Sequence, residues 1–141
     1  MSRAAAPAGV GGQAGRQPVS LPGARALKPW LPAIHMGRSG RFYLDLGFAC
    51  RWSTAEKAEY ACGPVAFILH HDYMAVVAEN TVMRLEVDDV EAWWRHAHDQ
   101  RLNDVHDVKL GAVSWRNGEG RFTLTDPAGV LWQIVQPAPA D

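Results

Sequence analysis

The chain is poor in cysteine, has no excess of charge of either sign and contains no long apolar run. Its 141 residues include only 2 cysteines, Cys50 and Cys62, too few for a disulfide-built scaffold. The 14 basic and 15 acidic side chains give a net charge of -1, so nothing favours binding to nucleic acid or to an anionic membrane. No apolar stretch approaches the about 20 residues needed to cross a bilayer. We therefore expect no membrane association and a cytoplasmic location.

Composition divides the chain into a tail and one domain. Residues 1–26 consist mainly of Ala, Gly, Pro, Gln and Arg, which cannot bury enough surface to offset their ordering entropy, and they show no continuous apolar region of a secretory signal. We predict a disordered N-terminal tail over residues 1–26, one domain over residues 27–136 and a short C-terminal tail over residues 137–141. Hydrophobic residues make up 48% of the chain, enough for a core in a domain of this size.

The domain shows the same order of elements twice, in modules over residues 27–70 and 81–136 that a connector over residues 71–80 separates. In the first, we predict a strand, a helix and three strands over residues 27–35, 39–47, 48–52, 59–62 and 65–70. Ser39 is the predicted helix cap, and Gly47 ends the helix.

The second module repeats this pattern with clearer signals. Residues 81–87 alternate as a strand, and Asp88 with Glu91 resembles a capping box that opens a helix. Asn117-Gly118 is typical of a tight hairpin turn. The predicted strands lie over residues 81–87, 105–115, 121–125 and 130–136. Two such modules predict an α+β fold, with two four-stranded mixed sheets curled around a cleft that suits a small molecule.

Three segments resemble proteins of the vicinal-oxygen-chelate superfamily, which includes glyoxalases, dioxygenases and bleomycin-resistance proteins. Residues 39–48 resemble the family's S-x-x-F-Y-x-D-L-G-F helix and turn. Residues 85–90 resemble the junction that opens its second module, and residues 122–132 resemble its F-x-L-x-D-P-x-G-x-x-W end. The resemblance implies paired β-α-β-β-β modules, a homodimer and a cleft for small ligands.

The positions at which metal-dependent relatives place their ligands hold unsuitable residues here. By the resemblance, these positions are Lys28, Val82 and Gln133. A protonated amine and an aliphatic side chain do not ligate a divalent metal, and an amide offers only a neutral oxygen. We therefore expect no metal and no cofactor. The alternative is a divalent metal at a rearranged site that uses His70 and Gln133 together with either Glu86 or a residue of a partner chain.

Strand alternation also predicts the residues that face the cleft. If Gln133 faces inward, the same parity turns Lys28, Trp30, Arg84 and Glu86 inward. Arg84 and Glu86 either form a salt bridge or hold polar groups of a ligand. The tryptophans either stack on a ligand or pack at a sheet or dimer interface. The predicted ligand-binding residues are Trp30, Arg84, Glu86, Trp115 and Gln133.

These observations favour a metal-independent binding protein of the bleomycin-resistance type. It would hold a small, partly aromatic, polar molecule between its modules, and antibiotic sequestration is one possible use. Two enzymatic alternatives stay open. One is a metal-dependent lyase or oxygenase with a rearranged site, and the other is a metal-free acid–base enzyme in which Glu86 is the base and Arg84 stabilises an oxyanion.

Overall fold

The computed structural model of the chain describes residues 20–140 and contains eight strands and four helices in that part. In chain order these elements are β1 (Trp30–Pro32), α1 (Met36–Leu46), β2 (Ala49–Ser53), β3 (Lys57–Cys62), β4 (Val65–His70), α2 (Ala75–Ala78), β5 (Val82–Glu86), α3 (Val90–Asp99), α4 (Leu102–Val105), β6 (Ser114–Arg116), β7 (Glu119–Thr125) and β8 (Leu131–Gln136). Residues 20–26 and 137–140 are exposed without regular structure, and the rest of the two predicted tails, residues 1–19 and 141, lies outside the described part.

The strands form two sheets of the same design. The first has the order β1-β4-β3-β2 and the second β5-β8-β7-β6. In each sheet the first pair is parallel and the other pairs are antiparallel. The α+β class and the two four-stranded mixed sheets are thus confirmed.

Each sheet buries one face under helices and leaves the other face open. On α1, Phe42, Tyr43 and Leu46 recur at helical spacing and are fully buried. They pack with Phe67 of the first sheet and Trp132 of the second in one core. Because strand side chains alternate, the residues between these core positions point to the opposite, open faces.

The start of α1 differs from the prediction. His35 occupies the N-cap position without a capping side-chain bond, and Ser39 lies inside the helix, where it is buried. The small residues here allow close packing, because a Cβ added to Gly40 would overlap the hydroxyl of Tyr60. The predicted end is confirmed: Gly47 has a φ of 124°, a conformation that glycine adopts without strain.

The second module requires two corrections. The N-cap of α3 is Asp89, whose Oδ1 accepts a 3.0 Å hydrogen bond from the Ala92 amide, and not Asp88. The strand predicted over residues 105–115 is wrong for most of its length. Asp107 has a φ of 53°, which interrupts extended structure, and before Ser114 only an isolated bridge at Leu110 pairs with the sheet.

A buried chain of hydrogen bonds joins the modules through the helix layer. The Tyr43 hydroxyl of α1 donates to Asp126 Oδ2 at 2.5 Å and accepts from Trp132 Nε1 at 3.0 Å. Asp126 Oδ1 in turn accepts from the amides of Ala128 and Val130, both at 2.9 Å. Burial raises the pKa of Asp126, against the lowering effect of these donors. Burial, followed by the Asp126 charge, raises the pKa of Tyr43 well above its usual value.

A second link joins α1 to the segment after α4. His106 is buried, and its Nε2 lies 2.8 Å from Asp45 Oδ2. Arg38 Nη2 donates to the His106 carbonyl oxygen at 2.9 Å. These bonds fix the two modules back to back through their helices and leave both open sheet faces free of them. Within residues 20–140 no helix is long and apolar enough to cross a membrane.

Candidate ligand-binding site

The open face of the first sheet carries two exposed tryptophans in one row across the strands. The register pairs Trp30 with Ile68, Ile68 with Glu59 and Glu59 with Trp52. Trp30 is 56% exposed and Trp52 is 40% exposed. With about 4.8 Å between strands, the row spans about 14 Å from one tryptophan backbone to the other. We call this surface the tryptophan face; it comprises Lys28, Trp30, Arg51, Trp52, Lys57, Glu59, Ile68 and His70.

A buried carboxylate organises the middle of the tryptophan face. Glu59 Oε1 accepts from Lys28 Nζ at 2.8 Å and from Trp52 Nε1 at 3.1 Å, and Glu59 Oε2 accepts from Arg51 at 3.0 Å. Its side chain is only 3% exposed. The hydrogen bond from Lys28 is the main cause that lowers the pKa of Glu59, against the raising effect of burial. Both carboxylate oxygens are therefore committed, and the Trp52 ring is held in place.

Trp30 is fixed at the other end of the row. Lys57 Nζ lies 5.3 Å from the centre of its ring, within the range of a cation–π contact. The His70 ring lies 5.1 Å away, tilted by 49°. Burial lowers the pKa of His70, and its buried Nδ1 has no hydrogen-bond partner among the described residues. His70 is therefore mainly neutral at pH 7.

The open face of the second sheet is lined by ion pairs. Arg84 Nε donates to Glu86 Oε2 at 3.0 Å, and Arg84 Nη2 donates to Glu119 Oε1 at 3.3 Å. The hydrogen bond to Glu86 is the first cause that raises the pKa of Arg84. Gln133 lies next to Arg84 in register. We call this surface the arginine face; it comprises Val82, Arg84, Glu86, Glu119, Arg121, Thr123, Leu131 and Gln133.

The two modules meet at a junction beside β4 and β5. A cavity of about 250 Å³ lies there, lined by Pro29, Ala66 and Arg84 and by the core-side residues Phe67, Met83 and Trp132. Ala66 shares the open side of β4 with Ile68, two residues further along the strand. Ala66 is thus the link between this cavity and the tryptophan face.

The structure divides the residues predicted from strand parity between the two open faces. Arg84, Glu86 and Gln133 are neighbours on the arginine face, and Trp30 lies on the tryptophan face. Trp115 is apart from them: it pairs with Gly120, whose side of β7 is the helix side that carries Phe122, and its Nε1 donates to Glu91 of α3 at 3.0 Å.

The three positions implied for metal ligands do not form a donor set for a divalent metal. Lys28 is an ammonium bonded to Glu59, Val82 is an exposed aliphatic side chain, and Gln133 is an amide beside Arg84. No group of three His, Cys, Asp or Glu side chains among residues 20–140 has the geometry to hold a metal ion. The rearranged set is also divided, because His70 lies on the first sheet whereas Glu86 and Gln133 lie on the second.

Sequence reasoning missed the Glu59 cluster. Its members come from three separate segments, and a β-bulge between Cys50 and Trp52 places Arg51 and Trp52 where both reach Glu59. One signal was present: Glu59 stands between Ala58 and Tyr60, which are buried. A charged residue in such an apolar strand requires a partner. Lys28, which strand parity turns toward the cleft, is a cation that could provide one.

No protein-family model and no curated protein matches the chain. Solved structures do resemble it. The bleomycin-binding protein of Streptomyces verticillus, complexed with copper(II)-bleomycin, has a TM-score of 0.70 and 21% identity over 83% of this chain and 99% of that chain. TnmS3, an antibiotic-binding protein from a Streptomyces species, has a TM-score of 0.67 and 14% identity over 85% and 99%. A lactoylglutathione lyase from Agrobacterium tumefaciens has a TM-score of 0.58 and 16% identity over 82% and 95%.

At these identities the likeness establishes the fold and not the ligand. The chain has the paired β-α-β-β-β fold that these bleomycin-binding, antibiotic-binding and lactoylglutathione lyase structures share, and the predicted resemblance to vicinal-oxygen-chelate proteins is confirmed at that level.

Proposed function

We propose that the chain is a metal-independent binding protein that holds a small, partly aromatic, polar molecule on the tryptophan face and in the adjoining junction cavity. The carrying observation is the row in which two exposed indole rings stand on either side of Ile68 and Glu59. Aromatic rings held by neighbouring side chains provide stacking surface at low entropic cost. The fold neighbours that bind bleomycin or another antibiotic are consistent with this use of the scaffold.

Metal independence is proposed from the chemistry of the side chains. Lys28, Val82 and Gln133 offer no anionic or imidazole donor, and the Lys28 ammonium is engaged by Glu59. Polar groups of a ligand would instead meet fixed donors, such as the guanidinium of Arg84 at the junction cavity. Stacking on the indole rings and hydrogen bonding to Arg84 both hold a ligand without a chemical reaction.

The test is a fluorescence titration of the full chain after exhaustive treatment with a chelator. Copper(II)-bleomycin and a library of small aromatic compounds serve as probes. We expect saturable quenching by at least one probe, weakened at least about tenfold in Trp30→Ala. Trp115→Ala is the matched control, because Trp115 is 49% exposed but lies on the helix side; its affinity should stay within about twofold of the parent.

Two results would contradict the proposal. Failure of every probe to bind would remove the binding function. Binding that disappears after chelation and returns on adding zinc, iron, manganese or nickel would show a metal-dependent function instead. The variants His70→Ala and Gln133→Ala would then test whether these two residues are metal ligands.

We also propose that the chain forms a homodimer. The described surface also exposes large apolar side chains at Leu27, Val65 and Val82, and such groups are favoured at interfaces between subunits. Light scattering after size exclusion should give twice the 15.5 kDa chain mass. A monomer at micromolar concentration would contradict this assembly while leaving the binding test unaffected.

A further inference from the structure

The tryptophan face has a positive balance of charge, although the whole chain has a net charge of -1. Lys28, Arg51 and Lys57 lie on this face together with a single carboxylate of the set, Glu59. Burial lowers the pKa of His70, which disfavours its charged form. Arg25 lines an open depression together with Lys28 and adds a further cation at the edge.

The positive and negative groups also differ in access. The Glu59 side chain is 3% exposed, and both of its oxygens are occupied. The side chains that bind it remain open, at 36% for Lys28 and 49% for Arg51. An ammonium has three donors and a guanidinium five, so each cation keeps donors for another acceptor. A ligand that approaches this face therefore meets free donors and no free carboxylate among these residues.

The positions of the cations relative to the rings specify where the ligand's charge would lie. Lys57 stands over the face of Trp30, and Trp52 and Arg51 are neighbours that both reach Glu59. A ring stacked on either indole would thus place a substituent next to a cation. A cationic ligand would meet like charges at both ends of the row, which lowers affinity.

We infer that the tryptophan face takes a planar aromatic molecule that carries a negative charge, such as a carboxylate, sulfonate or phenolate. This inference rests on the proposed binding function and names the chemical class of its ligand. Aromatic stacking supplies the affinity, and the exposed cations select the sign of the charge.

Three probes with one ring system separate charge from stacking: naphthalene-2-sulfonate, 2-naphthalenemethanol and 2-naphthylmethylammonium. Each is titrated into the full chain by calorimetry at 20 and 500 mM NaCl. One exposed ion pair changes affinity up to about fivefold, so several cations of one sign should favour the anion over the cation by about tenfold or more at low salt. The preference should shrink at high salt, because screening acts on exposed charges.

Matched variants locate the effect. Lys57→Gln removes one cation without touching the Glu59 cluster and should weaken the sulfonate about threefold while strengthening the ammonium probe. Lys109→Gln makes the same change in net charge at an exposed residue next to Thr125, in the second module, and should change neither.

The outcomes separate this inference from the function on which it rests. Equal or tighter binding of the ammonium probe, or equal effects of Lys57→Gln and Lys109→Gln, would overturn the anionic ligand class and leave the binding function intact. Failure of all three probes would overturn the inference. Failure of the wider aromatic library as well would overturn the binding function itself.

Discussion

Tyr43→Phe removes one oxygen atom from the buried chain of hydrogen bonds that joins the two modules. In the parent, the Tyr43 hydroxyl donates to Asp126 Oδ2 and accepts from Trp132 Nε1. Tyr43 is 0% exposed, and its ring contacts Phe67 and Trp132 at 4.7 and 5.7 Å between ring centres. Phenylalanine keeps the ring, so the substitution tests the hydroxyl alone.

The expected cost follows from the two groups left without a partner. A buried donor or acceptor that loses its hydrogen bond costs about 1–3 kcal/mol, and here one indole N–H and one carboxylate oxygen are affected. We expect the free energy of unfolding to fall by about 2–6 kcal/mol, a large part of the about 5–15 kcal/mol that stabilises a typical domain.

The loss should also depend on pH. Burial raises the pKa of Asp126 above its usual 3.8, and the Tyr43 hydrogen bond opposes that rise. Because a raised carboxyl pKa makes the folded state hold more protons, stability falls as pH increases from the usual pKa to the folded one. Without the hydroxyl the pKa of Asp126 rises further. Tyr43→Phe should therefore cost more at pH 7 than at pH 3.5.

Urea unfolding at both pH values measures this free energy by linear extrapolation. Tyr73→Phe is the control, since the Tyr73 hydroxyl makes only a 3.5 Å contact with the Ala128 carbonyl oxygen and should cost at most about 1 kcal/mol. Equal costs for the two variants would refute the role of the buried chain. A cost for Tyr43→Phe that is larger at pH 3.5 would refute the assignment of its pH dependence to Asp126.

Three further substitutions have expected outcomes. Gly40→Ala should lower the thermal midpoint, because the added Cβ overlaps the Tyr60 hydroxyl. The double variant Gly40→Ala with Tyr60→Phe should recover the midpoint. Additive effects of the two substitutions would contradict the overlap. Asp89→Ala should cost about 1 kcal/mol in urea unfolding through loss of the N-cap bond, and Asp88→Ala less than about 0.5 kcal/mol. The pKa of Glu59 is lowered in the folded chain, so its contribution to stability is lost as pH falls below the usual 4.5. The free energy of unfolding of Glu59→Gln should therefore fall less steeply between pH 5 and 3 than that of the parent. An unchanged slope would contradict the role of this carboxylate.

The parts of the fold that depend on local chemistry could be predicted from the sequence. Gly47 ends α1 with a positive φ, and Asn117 and Gly118 have φ values of 53° and 82°, as a tight hairpin turn with two left-handed residues requires. The strand predicted over residues 105–115 is mostly absent, because Asp107 adopts a left-handed conformation and Leu102 starts an extra short helix. Neither feature is evident from the alternation of apolar residues.

The candidate site was predictable only where alternation continues without interruption. Arg84 and Gln133 lie on regular strands, so their common face followed from parity. The bulge between Cys50 and Trp52 interrupts alternation and brings Arg51 to Glu59, which no periodic pattern indicates. The position of Trp115 depended on the register of a strand whose predicted length was wrong.

The location of the recognised segments explains why the fold was more predictable than the ligand. Tyr43, Asp126 and Trp132 all belong to the segments that resemble known proteins, and their function in the structure is to lock the helix layer. Trp30 and Glu59 lie outside those segments, on strands whose open side makes no contact with that lock. Substitutions on this side change the surface that a ligand meets without disturbing the core. A chain can therefore keep the fold of bleomycin-binding proteins while the residues of its tryptophan face change independently of the core.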